Sequence, residues 1–175
     1  MAIRLLLGIT LLILPAYAVV GETEIIRAFA RNDYETFERL YNALDDKSLY
    51  VTKDGTVVPF LFLTLHVEDP RFFEKALEEA DPNAAGDWGM TPIHETVTLC
   101  NLERTQALIK KGADANHPPG DMNTPLHMAT LMSCYDVAEY LLSIGANPAA
   151  KNNRGQTPAD IARKLGDGKM RALLE

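Results

Sequence analysis

Four histidines and two cysteines are the residues of this 175-residue chain best suited to metal or nucleophilic chemistry. Imidazoles and thiolates hold zinc when they recur at short ligand spacing, as in HExxH on one helix face. His66, His94, His117 and His127 show no such spacing, either among themselves or with Cys100 and Cys134. Paired carboxylates could move protons. Asp45-Asp46 and the group Glu74, Glu78 and Glu79 instead read as solvated helix surface. The sequence holds no nucleophile elbow, phosphate-cradling glycine loop or calcium loop. The expectation is a non-enzyme, with no catalytic residue, no metal ligand and no cofactor.

Composition narrows the partner. Apolar residues make up 47% and charged residues 23%, which fits a globular chain with a sizeable core. The net charge is −7, and no basic run, Lys110-Lys111 included, exceeds two residues. Nucleic-acid binding needs cationic contacts to phosphate, so it is not expected.

Residues 1–18 read MAIRLLLGITLLILPAYA. Arg4 precedes the apolar run Leu5–Leu14, Pro15 breaks it, and Ala16-Tyr17-Ala18 has the small-x-small form that signal peptidase accepts. The run is short for a membrane span, which needs about 20 residues. The expectation is a signal peptide cleaved after Ala18, with no membrane insertion afterwards. The short n-region with its single charge fits a bacterial leader, and therefore the periplasm. Cleavage removes Arg4 and leaves the mature chain one unit more negative. The cysteines are Cys100 and Cys134, so no lipid-bearing cysteine stands at the cleavage point.

The elements that would position any site follow a period of 33 residues. Thr91-Pro92-Ile93-His94 recurs as Thr124-Pro125-Leu126-His127 and then as Thr157-Pro158-Ala159-Asp160. One interval earlier stands Val58-Pro59-Phe60-Leu61. Lys111-Gly112-Ala113-Asp114 matches Ile144-Gly145-Ala146-Asn147 at the same spacing. Each unit carries one apolar stripe. In one it is Ile93, Val97, Leu102, Leu108 and Ile109; in the next it is Leu126, Ala129, Val137, Leu141 and Leu142. A helix pair with one such face buries it by stacking on its neighbours. Thr91, Thr124 and Thr157 stand where an N-cap is wanted, and Pro92, Pro125 and Pro158 occupy N1. Gly112 and Gly145 fit the left-handed C′ position.

These motifs resemble the ankyrin repeat. The resemblance implies an all-α solenoid of stacked helix-turn-helix units with short β-turn or hairpin connections. It is nearly gap-free over 87–152 and degraded on either side. The expected organisation is a signal peptide at 1–18, an N-terminal capping helix pair at 19–53, a degenerate repeat at 54–86, repeats at 87–119 and 120–152, and a C-terminal capping repeat at 153–175. In the degenerate repeat Val58 stands for the capping Thr, Leu61 for the His and Glu79 for the Gly; its second helix is offset by one residue. The resemblance also implies that His94 and His127 bridge the cap threonine and backbone of neighbouring repeats.

Cys100 and Cys134 are 34 apart in an array of period 33, one residue out of register near the turns of adjacent repeats. Packed helices stand about 8–10 Å apart, whereas a disulfide wants Cα atoms within about 7 Å. The offset could close that gap or widen it. A bridge and two free thiols are both open at this stage.

In ankyrin arrays the turn tips and the inner helices form the concave binding face. Here they would bear Asp54, Thr56, Trp88, Met90, Asp121, Met122, Asn123, Arg154 and Gln156, with Glu95, Met128 and Leu131 on the inner helices. Methionine repacks readily against varied partners and tryptophan is enriched at hot spots. The expected function is a monomeric, non-catalytic protein-binding module of the periplasm. A leader followed by about four repeats resembles bacterial periplasmic ankyrin-repeat proteins that accompany a catalase. The same plan suits an immunity protein against a delivered toxin, or an envelope scaffold.

Overall fold

The computed structural model describes residues 20–44, 49–51 and 57–175. The leader, its cleavage site after Ala18, and the turn bearing Asp54, Gly55 and Thr56 lie outside the described residues. The chain divides into two compact units, Met1–Asp87 and Trp88–Glu175.

The first unit contains helices α1 (Val20–Arg31) and α2 (Tyr34–Asn42), strands β1 (Leu49–Val51) and β2 (Val57–Pro59), and helices α3 (Phe60–Thr64) and α4 (Pro70–Glu79). Asn32 turns the chain between α1 and α2 at φ +55. The Asp33 carboxylate then accepts the Thr36 N–H at 3.1 Å and caps α2. Ile25, Ile26 and Phe29 of α1 are buried against Phe37 and Tyr41 of α2. Aromatic rings dominate this core. Phe37 lies 4.8 Å from Phe72 and 5.3 Å from Tyr41, ring centre to ring centre. The Tyr41 hydroxyl donates to the Ala76 carbonyl at 3.2 Å, satisfying the polar end of a buried ring.

The degenerate repeat starts one residue later than the sequence pattern implies. β1 and β2 pair antiparallel, with Leu49 opposite Pro59, so residues 57–59 are held extended. Helix α3 begins only after them, with Pro59 itself at the N-cap (φ −60, ψ 136). Pro59, not Val58, therefore occupies the place of the capping threonine, and Phe62, not Leu61, stands at the N3 position of the histidine. At the far end α4 exits through extended Ala80, without a left-handed residue.

The second unit consists of three helix pairs: α5 (Pro92–Thr98) with α6 (Leu102–Lys110), α7 (Pro125–Leu131) with α8 (Tyr135–Ser143), and α9 (Pro158–Leu165) with α10 (Gly168–Leu174). The inner helices α5, α7 and α9 pack side by side, and α6 packs on α8. The core contains Ile93, Val97 and Leu108, then Leu126, Ala129, Val137 and Leu141, then Ile161, Ala162 and Met170. Leu102, Ile109 and Leu142 from the expected stripes are half-buried. Gly112 and Gly145 follow the outer helices at φ +102 and +91, where a side chain is strained even though a Cβ would meet no atom. The last repeat replaces the histidine with Asp160. Its carboxylate accepts from the Thr157 N–H and hydroxyl, and the Thr157 oxygen accepts the Asp160 N–H, a complete capping box.

Cys100 and Cys134 are joined by a disulfide, with Cα atoms 5.2 Å apart. The one-residue offset closes the gap because the partners use different turn positions. Cys100 sits after α5 at φ +50, a left-handed place that Ser133 and Gly166 occupy in the following repeats. Cys134 sits at the N-cap of α8. At the corresponding N-caps, Asn101 accepts from Arg104 N–H and Asp167 from Met170 N–H, whereas Cys134 caps nothing.

Candidate binding groove

His94 and His127 are absorbed by the scaffold. The Thr91 N–H donates to His94 Nδ1 at 3.1 Å, so that nitrogen is an acceptor and the ring hydrogen belongs on Nε2. Nε2–H then donates to the His117 carbonyl at 3.1 Å. His127 repeats the arrangement, with Thr124 Oγ1 at 2.8 Å from Nδ1 and the Gln156 carbonyl at 2.9 Å from Nε2. Burial pushes the pKa of both rings below the ordinary histidine value, keeping them neutral. Each imidazole thus ties the start of an inner helix to the next turn.

The turns themselves are zipped together. The Gly120 N–H donates to the Trp88 carbonyl at 2.6 Å, and the Asn153 N–H donates to the Asp121 carbonyl at 3.2 Å. Asn152, itself buried, donates its side-chain amide to Asn123 Oδ1 at 2.9 Å and accepts the Arg154 and Gln156 N–H groups on its own oxygen. A Cβ on Gly120 would stand 3.2 Å from the Trp88 carbonyl oxygen, so the close approach of the first two turns depends on glycine there.

This ladder holds large apolar groups in water. Trp88 is 83% exposed and Met122 is 47% exposed. Both have left-handed backbones, at φ +62 and +60. Met122 occupies the position that Gly89 and Gly155 hold in the flanking repeats, also at positive φ. The left-handed region costs a non-glycine residue roughly 1–2 kcal/mol. That strain, with two exposed apolar side chains, is a device more often met at binding sites than in packing.

Two hollows lie along the ladder. The first, of about 470 Å³, is lined by Trp88, Met90, Pro119, Gly120, Asp121, Met128 and Asn153. The second, of about 210 Å³, is lined by residues that include Asn123, Leu131, Arg154, Gln156, Lys164 and Leu165. Of the sequence-derived candidates, Trp88, Met90, Asp121 and Met128 converge on the first and Asn123, Leu131, Arg154 and Gln156 on the second. Met122 projects from the turn between them, and Glu95 is half-buried on α5. Asp54 and Thr56 are outside the described residues. Sequence reasoning missed Pro119, Gly120 and Asn153 at the first hollow, and Asn152 with Ile161, Lys164 and Leu165 of α9 at the second. Their periodic placement beside the turn tips was the available signal. Among the described residues no three His, Cys, Asp or Glu converge as a metal site, and no helix is long and apolar enough to cross a membrane.

Repeating helix pairs whose turns form a ladder with exposed apolar side chains define a stacked-repeat solenoid. A family profile described as ankyrin repeats, in three copies, matches residues 61–152, more than half of the chain. The chain belongs to the ankyrin-repeat family. It is 40% identical over 73 residues to protein phosphatase 1 regulatory subunit 27 of Mus musculus, covering 42% of this chain and 47% of that protein. It is 43% identical over 75 residues to the BTB/POZ domain and ankyrin repeat-containing protein NPR5 of Oryza sativa subsp. japonica, covering 42% of this chain and 15% of that one. A putative ankyrin repeat protein of fowlpox virus, FPV014, is 31% identical over 103 residues, 57% of this chain and 24% of its own. The chain thus spans under half the length of these relatives. Ankyrin repeats are protein–protein interaction modules, and the family is typically non-catalytic.

Proposed function

We propose that the protein is a monomeric, non-catalytic adaptor of the bacterial periplasm that holds a partner protein on the turn ladder of its second unit. The observation that carries this reading is the strained exposure of Trp88 and Met122 beside a 470 Å³ apolar groove. A regulatory role toward an enzyme is the form we favour, since one similar protein is by its name a regulatory subunit. A catalase is the partner that the leader-plus-repeats plan brings forward. The Cys100–Cys134 disulfide supports an oxidising compartment, because such bonds persist outside the cytosol. The leader sequence supports the same address.

The test is capture from a periplasmic extract by the purified mature chain. Replacing Trp88 and Met122 together with Ala should abolish recovery of the specific partner while helical circular dichroism is unchanged. Undiminished recovery of that partner would move the interface elsewhere. N-terminal sequencing of the exported protein should begin at Val19; a retained Met1 would overturn the cleavage reading.

A further inference from the structure

We infer that the two hollows form a charge-coded track for an extended partner segment, with a lysine or arginine seated in the first hollow and an acidic residue in the second. This rests on the interaction reading above and adds the chemistry of the occupant. Asp121 is the ionisable side chain among the residues lining the first hollow. Its carboxylate bonds within its own turn, to the N–H and side-chain amide of Asn123, and forms no ion pair among the described residues. A carboxylate offers about four acceptor positions, so capacity is left for an incoming cation. The walls suit the rest of a basic side chain. Met90 and Met128 can lie along its methylenes, and the exposed Trp88 indole offers a face to its charge.

The second hollow carries the opposite sign. Arg154 and Lys164 line it beside Leu131, Ile161 and Leu165, and neither cation has an ion-pair partner among the described residues. The hollows are one repeat apart, since the first lies between the turns at 88 and 120 and the second between those at 123 and 154. Stacked helices repeat at about 8–10 Å, and a segment in the extended polyproline-II form advances about 3.1 Å per residue and returns to the same face every third residue. A basic and an acidic residue about three positions apart would therefore reach both. The net charge of −7 adds long-range attraction for a segment that is basic overall.

The experiment uses the oxidised mature chain. Sedimentation velocity comes first, and a single monomeric species is expected. A dimer dissolved by Trp88→Ala would give the groove to a second copy of this chain and overturn the proposal. A random peptide library is then panned on the protein, and enriched peptides are labelled and titrated by fluorescence polarisation. The expected consensus has Lys or Arg with Asp or Glu about three positions away. Asp121→Asn should weaken binding about tenfold or more, and Arg154→Glu should do so for peptides that keep the acidic residue. Glu139→Gln, exposed on the outer helix α8, should change nothing. Peptides that need Trp88 but carry no basic residue, and ignore Asp121→Asn, would leave the interaction reading intact and overturn the charge code. Failure to enrich any Trp88-dependent peptide would overturn both.

Discussion

His94 and His127 commit both ring nitrogens to structure, which makes them sensors of acid for the fold as a whole. Burial lowers their pKa in the folded chain, so below the ordinary value of about 6.5 the unfolded chain binds more protons than the folded one. The stability they contribute is complete above that value and is lost as pH falls from there through the lower folded-state value. Urea unfolding at pH 7.5 and pH 5.5 should show the drop, and a double His94→Gln, His127→Gln variant should flatten it. An equal drop in that variant would assign the effect to other groups. The carboxylate caps do not interfere in this window. Hydrogen bonds from Thr157 and Met170 backbones hold Asp160 and Asp167 below the usual carboxylate range, so they titrate in stronger acid. Met122 is the opposite case, a residue whose conformation opposes its type. Met122→Gly should leave stability unchanged or raise it by up to about 1 kcal/mol, because glycine removes the left-handed strain. A loss greater than that would mean that the thioether is packing and not waiting for a partner. The sequence held this clue, since Gly89, Met122 and Gly155 are 33 apart. Residue type alone did not give it, because nothing about methionine announces a left-handed backbone.

At the scale of elements, the helices that were legible are those whose ends are set by their own residues. Pro92, Pro125 and Pro158 each begin a helix where the 33-residue pattern puts them. Helix α3 departed because its start is set by pairing between β1 and β2; Asp54-Gly55 signals a turn there, but nothing local says how far past it the chain stays extended. Position-specific roles also decide the disulfide, where Cys134 gives up a cap to make a bridge. Compared in reductant, Cys134→Asn should be more stable than Cys134→Ala by about 1 kcal/mol, since Asn restores the acceptor that Asn101 and Asp167 supply to α6 and α10. Both variants should fall below the oxidised parent, which gains about 3–4 kcal/mol by chain-entropy reasoning from a crosslink of separation 34. Thermal melts, with the variants in reductant and the parent in the same buffer without it, would order the three, and an Asn variant no better than Ala would deny the cap. Gly112→Val tests the other end of α6. With no atom near its Cβ, the cost there is conformational, about 1–2 kcal/mol and a few degrees of melting temperature.

The whole molecule follows from stability that passes between neighbours. Much of the second unit could be read in advance, because each helix pair repeats the same stripe and cap and its burial needs only the next pair. The first unit was less legible. Its core is a knot of Phe29, Phe37, Tyr41, Phe60 and Phe72, whose rings meet across sequence distances that the period does not describe. The candidate groove was legible as a set of turn tips, but its two-part division depended on α9 contributing Lys164 and Leu165. Energetics should divide along the same line. The disulfide joins α5's turn to α8's start, wholly within the second unit, whereas the first unit is held by aromatic packing without a crosslink. Reduction removes a constraint on a 34-residue loop and leaves the first unit's contacts as they were. Hydrogen exchange followed by mass spectrometry should therefore show faster exchange in α5 to α8 on adding reductant, with α1 to α4 changed least. An equal rise in both units would mean that the chain opens as one cooperative block, and the crosslink would then be stabilising the molecule globally and not the ladder that carries the groove.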